Sequence, residues 1–281
     1  MPSPDERAPD ERAADERAAA VSLREVSLTY GGKRRGGGVF GRAFKSADPV
    51  DALRDVDADI PGGEFVTIVG PSGCGKSTLL RLVAGFARPT GGEVAVAGAP
   101  VTGPGPDRGV VFQQPRLFPW LTVRRNVEFG LRTAGASAAE RRARSDELLD
   151  LVGLSDSAGR LPHELSGGMQ QRAAIARALA PGPRILLMDE PFAALDALTR
   201  ERLQEELRRI WRRTGTTILF VTHSVDEAVF LGTRIIALSR RPGRIVLDET
   251  STLPGEDDPH THPDFPGRRE RVAATVRAAA A

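Results

Sequence analysis

The chain has 281 residues, 40% hydrophobic and 27% charged, enough for one large domain with a substantial core, which excludes a wholly disordered or collagen-like chain. Lys plus Arg exceed Asp plus Glu by only 39 to 37, a balance without the electrostatic footprint of a nucleic-acid or membrane-surface protein. The one cysteine, Cys74, permits no internal disulfide and is compatible with a reducing compartment, and no apolar run approaches the roughly 20 residues of a membrane-spanning helix.

Within residues 1–20, an Asp-Glu-Arg-Ala unit repeats over residues 5–18. With no large apolar residue to bury and no apolar stretch of the kind a secretory signal carries, they read as a disordered, low-complexity tail. From residue 21 a strand-like alternation begins (Val21, Leu23, Val26, Leu28, Tyr30), interrupted by a Gly-rich basic insertion over residues 31–49. A second alternating strand covers 56–60, a Pro61-Gly62-Gly63 turn follows, and the short apolar run 65–69 fits a buried strand. Residues 77–85 carry Leu79, Leu80, Leu82 and Val83 on one helical face, and further strands are expected at 93–96 and 108–112. Ser137 to Glu140 form a capping box opening a helix through 151, and helices are predicted at 165–180, 199–213 and 224–231, alternating with strands at 185–188, 217–221 and 234–238. Such alternation implies an α/β fold with parallel strands. From residue 254 the chain is rich in Pro, Asp and His and reads as a C-terminal tail with a short Ala/Arg end.

Three motifs carry chemistry. Gly70-Pro71-Ser72-Gly73-Cys74-Gly75-Lys76-Ser77 matches the phosphate-loop pattern G-x-x-x-x-G-K-[ST] between an apolar strand and a helix, with Thr78 next in line. Glycines let backbone N–H groups turn toward phosphate oxygens, Lys76 reaches the outer phosphates, and Ser77 offers a hydroxyl to magnesium. The chain has only Lys33, Lys45 and Lys76 against 36 arginines, so a lysine at this position is far from accidental. Residues 185–190 are an apolar strand ending in Asp189 and Glu190, which downstream of a phosphate loop read as a magnesium-holding carboxylate and the base for an attacking water. Ser166-Gly167-Gly168 opens a helix and forms a second anion-binding N-terminus. Two such devices do not readily grip one nucleotide within a single domain, and a head-to-tail homodimer with two nucleotides in its interface satisfies both. Cys74 reads as a small residue tolerated in the loop, with a thiol activated by the helix N-terminus as the alternative. A metal-binding reading of His260 and His262 is open but weak.

With these motifs the chain resembles the ATP-binding cassette ATPases over about residues 21–247: a phosphate-loop α/β fold, mostly parallel, with an antiparallel β subdomain and a helical signature subdomain near 114–180, in a cassette spanning 21–253. Met169 stands where the family's signature usually has Gln. The resemblance implies ATP and Mg2+ as ligands, Tyr30 stacking on adenine, Gln113 touching magnesium and the water with Gln114 as its neighbouring alternative, His223 contacting the γ-phosphate, and the loop Ala194-Leu195-Asp196 linking the two sites across the dimer. Lys76, Gln113, Glu190 and His223 are then the catalytic set and Ser77, Gln113 and Asp189 the metal set, while His163 belongs to the approach to the signature helix. Residues 103–113, 117–127, 191–200 and 238–245 are similar to the importer subfamily for nitrate, taurine and aliphatic sulfonates. That implies integral membrane permease subunits, an indirect partnership with a solute-binding protein, a peripheral place on the cytoplasmic face of the membrane, and no nucleic acid. Leu117, Phe118 and Trp120 form an apolar cluster suited to a short helix of a membrane subunit. The runner-up, a cassette acting in DNA repair or translation, usually has long coiled coils or two cassettes, whereas this chain has one phosphate loop and no sustained heptads.

Overall fold

A computed structural model describes residues 19–31 and 48–280. The repeat at 5–18 and almost all of the 31–49 stretch lie outside them. Two sheets organise the rest. The smaller is antiparallel, in the order β2 (Val50–Pro61), β1 (Ala19–Tyr30), β4 (Gly91–Val96), β5 (Ala99–Pro100). The larger runs β10 (Ile245–Thr250), β9 (Arg234–Leu238), β3 (Phe65–Val69), β8 (Thr217–Val221), β7 (Ile185–Asp189), β6 (Arg108–Val111), parallel throughout except for β10.

The central strands read as continuous apolar runs because both faces are covered, yet their side chains still alternate. Phe65, Leu186, Met188, Ile218, Phe220 and Ile235 enter one core with the helices α2 (Val123–Thr133), α3 (Ala138–Leu151), α4 (Gly167–Leu179) and α5 (Ala197–Thr214). Val66, Ile68, Leu187, Leu219, Val221 and Ile236 enter the other, with α1 (Lys76–Val83) and the antiparallel sheet. The sheet is thus a wall between two cores, and the expected combination of parallel sheet, antiparallel β layer and helical layer is what the chain forms.

Several elements, the short β5 among them, go beyond the sequence reading. α2 begins at Thr122, whose hydroxyl accepts from the Arg125 N–H. Its fully buried Asn126 accepts from the Phe118 N–H at 2.8 Å and donates to the Phe118 and Leu121 carbonyls, knitting the turn before the helix. β10 is an edge strand with alternating exposure. The segment read as a C-terminal tail is a correction: residues 264–280 form α7 (Asp264–Ala280), which buries Phe265 and Val272 against the sheet and α6 (Val225–Leu231). Buried Arg208 fastens the approach to α7 by donating to the carbonyls of Glu256 and Asp257. No helix among the described residues is long and apolar enough to cross a membrane.

Candidate functional site: a phosphate loop beside a carboxylate strand

Parallel strands deliver their C-terminal ends to one edge of a sheet, where ligands of such folds bind. Here the end of β3 feeds Gly70 to Ser77, the end of β6 feeds Gln113, the end of β7 carries Asp189 and Glu190, and β8 runs out into His223. Four segments distant in sequence therefore meet because their strands are neighbours.

Within the phosphate loop, Gly75 has φ +107°, and a Cβ there would stand 2.7 Å from Leu53 Cδ2 and 2.8 Å from the Ala52 carbonyl, so no other residue fits. α1 starts directly after it with no side-chain cap and no acid in its first turn. By contrast, α2 to α6 are capped by the side chains of Thr122, Ser137, Ser166, Asp196 and Ser224. The first N–H groups of α1 thus lack the side-chain partner that the other helices supply, which is the fit expected of a phosphate cradle. Lys76, only 6% exposed, donates from Nζ to the carbonyls of Gly70 at 2.8 Å and Pro71 at 3.1 Å, so its charge is held inside the loop. Burial pushes the Cys74 thiol up despite nearby Lys76, so the structure favours the inert reading of that cysteine.

Ser77 Oγ donates to Asp189 Oδ1 at 2.8 Å, joining loop and strand. A cavity of about 350 Å³ opens beside this pair, lined also by Phe112, Gln113, Gln114 and Arg116, so both glutamines reach it. Two or three oxygen donors of this hard type suit magnesium, which keeps waters and substrate phosphates for its remaining positions. Glu190 takes a left-handed backbone with φ 45°, uncommon for a non-glycine residue. Its N–H donates to the Val221 carbonyl at 3.0 Å, and its Oε2 lies 3.2 Å from His223 Nδ1. Tyr30 closes β1 on the near side, 42% exposed, with its hydroxyl 3.4 Å from Thr78 Oγ1.

Ser166 caps α4, its Oγ accepting from Met169 N–H at 3.3 Å. The Gln170 amide donates to its own loop at the carbonyls of Pro162 and Leu165, and Met169 packs on the core, so neither side chain duplicates an exposed polar contact. Ser166 and Gly167 are exposed, while Gly168 is pressed on α5, where a Cβ would meet Thr199 Cγ2 at 2.8 Å. This N-terminus neighbours Leu195 and Thr199; the phosphate loop neighbours Ala52, Leu53, Leu238 and Arg241. The two helix N-termini have different surroundings in one chain. Asp196 caps α5, and the Thr199 N–H on its carboxylate holds it below the usual range. His163 is exposed in the 3-10 turn before the signature. His260 stacks on Phe230 at 4.6 Å and meets Phe265 at a tilt at 4.7 Å, whereas His262 Nδ1 accepts from the Asp264 N–H at 3.2 Å; the described residues hold no cluster of three or more His, Cys, Asp or Glu that could bind a metal ion.

One contact had no reading in the sequence. Arg241 Nε donates to the Gly73 carbonyl at 3.2 Å, and Gly243 packs against Cys74, so the loop after β9 buttresses the phosphate loop. The 238–245 motif was visible as a pattern, but only the adjacency of β9 and β3 reveals its target. The apolar cluster divides: Leu117 packs into the core, Phe118 packs at a tilt on Phe129 with centroids 4.4 Å apart beneath Arg177, and Trp120 is 72% exposed.

A phosphate-loop motif, a strand-end carboxylate pair and a Ser-Gly-Gly helix start on a parallel sheet together fit a nucleoside-triphosphate-binding ATPase. Residues 53–193 match the family described as ABC transporter, and the chain belongs to that family as an ATP-binding, ATP-hydrolysing cassette. It is 53% identical over 221 residues to a nitrate import ATP-binding protein of Synechocystis, covering 79% of this chain and 83% of the relative. It is 48% identical over 235 residues to a taurine import ATP-binding protein of Roseobacter denitrificans, covering 81% and 87%. Among solved structures it is similar to a dimeric ATP-binding cassette in a post-hydrolysis state bound to ADP and Pi, with TM-score 0.66 and 37% identity over 82% of this chain and 98% of the other.

Proposed function

We propose that this chain is the ATPase subunit of a bacterial ABC importer for nitrate, taurine, a sulfonate or a related anion. In this reading it works as an ATP-closed homodimer on the cytoplasmic face of the membrane, beneath integral permease subunits served by a solute-binding protein. The likeness to nitrate and taurine import proteins supports the importer assignment. The observation that carries hydrolysis is the Glu190–His223 contact at 3.2 Å beside the Ser77–Asp189 pair.

Each residue has one task. The uncapped N–H groups of α1 and Lys76 take the phosphates, and Tyr30 offers its ring to the adenine. Ser77, Asp189 and Gln113 would hold Mg2+, which when bound neutralises phosphate charge. Glu190 accepts the proton of the attacking water; with Oε2 engaged by His223, that proton falls to Oε1. His223 meets Glu190 through Nδ1, and the Nε2–H of the ring in its imidazolium form donates to a phosphate oxygen. Ser166, Gly167 and Gly168 cover the phosphates bound by the partner subunit, which closes the dimer. Exposed Trp120 and half-buried Phe118 offer the permease an aromatic surface beside the Gln113 cavity.

The test is co-sedimentation of the purified chain with membranes that do or do not contain candidate permease subunits from the same organism. Binding and stimulated ATP hydrolysis are expected only with the permease, and equal binding to both membranes would refute the assignment.

A further inference from the structure

Glu227 takes no part in the chemistry above, yet its carboxyl is the most heavily committed buried acid in the neighbourhood. It is 7% exposed in the first turn of α6, four residues after His223. Ser224 and Glu227 have the spacing of a capping box, in which the Glu side chain turns back to the cap N–H. Here the backbone half forms, Glu227 N–H donating to Ser224 Oγ at 3.3 Å, but the carboxyl goes elsewhere. Its Oε2 accepts from the Thr222 hydroxyl, and its Oε1 accepts from Gln204 Nε2 of α5 at 3.0 Å. Arg200 Nε, a buried donor with no hydrogen-bond partner, lies 3.8 Å from the same Oε1.

Both ends of this cluster reach the site. Thr222 immediately precedes His223, and its hydroxyl oxygen also accepts from Ser224 N–H at 3.0 Å, so the backbone is gripped on either side of the histidine. Arg200 donates from Nη2 to the Leu195 carbonyl at 2.9 Å, in the loop that enters α5. Leu195 lies against Gly167, where a Cβ would be 3.6 Å from Leu195 Cδ2. An unbroken series of contacts thus runs from Gly167 through Leu195, Arg200, Glu227 and Thr222 to His223 and Glu190. Stability is a poor reason for it, because burying the Glu227 carboxyl costs solvation that an ion pair at 3.8 Å with partly exposed Arg200 does little to offset.

We propose that Glu227 is a positioning residue for hydrolysis, tying the Ala194-Leu195-Asp196 loop to His223 so that the posture of the signature end and that of the catalytic end of one chain are set together. The proposal rests on the hydrolytic reading of His223 and Glu190. Since each end of the chain faces a different nucleotide in the dimer, the network would carry the state of one site to the other.

The experiment is a double-mutant cycle on the full chain, with ATP hydrolysis measured against ATP concentration for Glu227→Gln, Arg200→Gln and the double variant. Gln at 227 retains the size and the contacts to Thr222 and Gln204 but loses the attraction for Arg200. Each single variant is expected to lower kcat about tenfold through misplacement of His223, with KM changed by less than about twofold. The double variant should be no slower than the slower single one, because both cut one series. Multiplied losses in the double variant, or wild-type kcat in both single variants, would overturn the proposal. Arg200 is at the partly exposed end of the network, so its variant reads the same coupling if Glu227→Gln does not fold; wild-type kcat for Arg200→Gln then overturns it. A parallel His223→Ala variant separates the two levels. Wild-type turnover there refutes the underlying reading, whereas a slow His223→Ala beside unaffected network variants refutes the network alone.

Discussion

Glu190→Gln isolates the chemical step. The side chain keeps its size and can still meet His223 Nδ1, 3.2 Å away, and the backbone bond from the residue 190 N–H to Val221 is untouched. No hydrogen bond of Lys76 or Ser77 involves Glu190, so the phosphate loop retains its geometry. What is lost is the ability to accept a proton. General-base catalysis contributes about 10²–10⁴-fold, or about 3–5 kcal/mol of barrier, and turnover should fall by that factor. Stability should stay within about 0.5 kcal/mol of wild type, as for a substitution that opens no cavity and strands no partner. Phosphate release gives the rate, and light scattering with and without Mg-ATP gives the mass. Uncleaved ATP should hold the variant as a dimer, more completely as ATP rises, by mass action. Wild-type turnover would remove Glu190 from the role of base, and a monomer at saturating ATP with proven nucleotide binding would refute the cross-dimer site.

Tyr30→Ala should weaken ATP binding in a fluorescent-nucleotide titration while kcat at saturation stays near wild type, because stacking acts alike on ground and transition states; reduced kcat with unchanged affinity would contradict the adenine contact. Gly168→Ala places a methyl 2.8 Å from Thr199 Cγ2 and should shift the signature end off α5. Turnover should drop about tenfold for a displacement of that scale, with recovery in the Gly168→Ala/Thr199→Ser double variant; failure to recover would refute the steric account. Burial raises the Cys74 thiol, so its thiolate is scarcer than that of a free cysteine at every pH below the raised value. A thiol reagent should therefore label the native chain slowly at mildly alkaline pH and the denatured chain quickly, and equal rates would show an activated thiol.

The parts of the fold legible in the sequence are those where burial and local pattern agree. Residues 65–69, 185–188 and 217–221 are apolar apart from Thr67 and Thr217 because both faces of the sheet are covered, and the phosphate loop stands between strand and helix as its chemistry requires. α2 is opaque because its anchor is a buried asparagine rather than an apolar stripe, with only Val123, Asn126 and Val127 buried. In α7 just Phe265 and Val272 are buried, two turns apart, and Pro266 and Gly267 lie in its first turns, so nothing in its pattern announces a helix. β10 earns its place partly through charge, Arg234 pairing with Asp248 and Arg268 with Glu249, which only the fold brings together. The candidate site residues stand in legible local motifs, whereas Arg241 and Glu227 make contacts across the fold that no local pattern encodes.

The left-handed backbone at Glu190 sets thermal robustness against turnover at a single position. A side chain with a Cβ costs about 1–2 kcal/mol in that region, asparagine less than most, and glycine escapes the strain while losing about 0.5–1 kcal/mol to the greater freedom of its unfolded chain. Laboratory selection for heat resistance without a turnover screen should therefore accumulate glycine or asparagine at 190 among its early gains, and each such gain would be a silent enzyme. Any stabilisation campaign on this cassette has to hold that position fixed, since the stabler residues there are the ones that cannot take a proton from water.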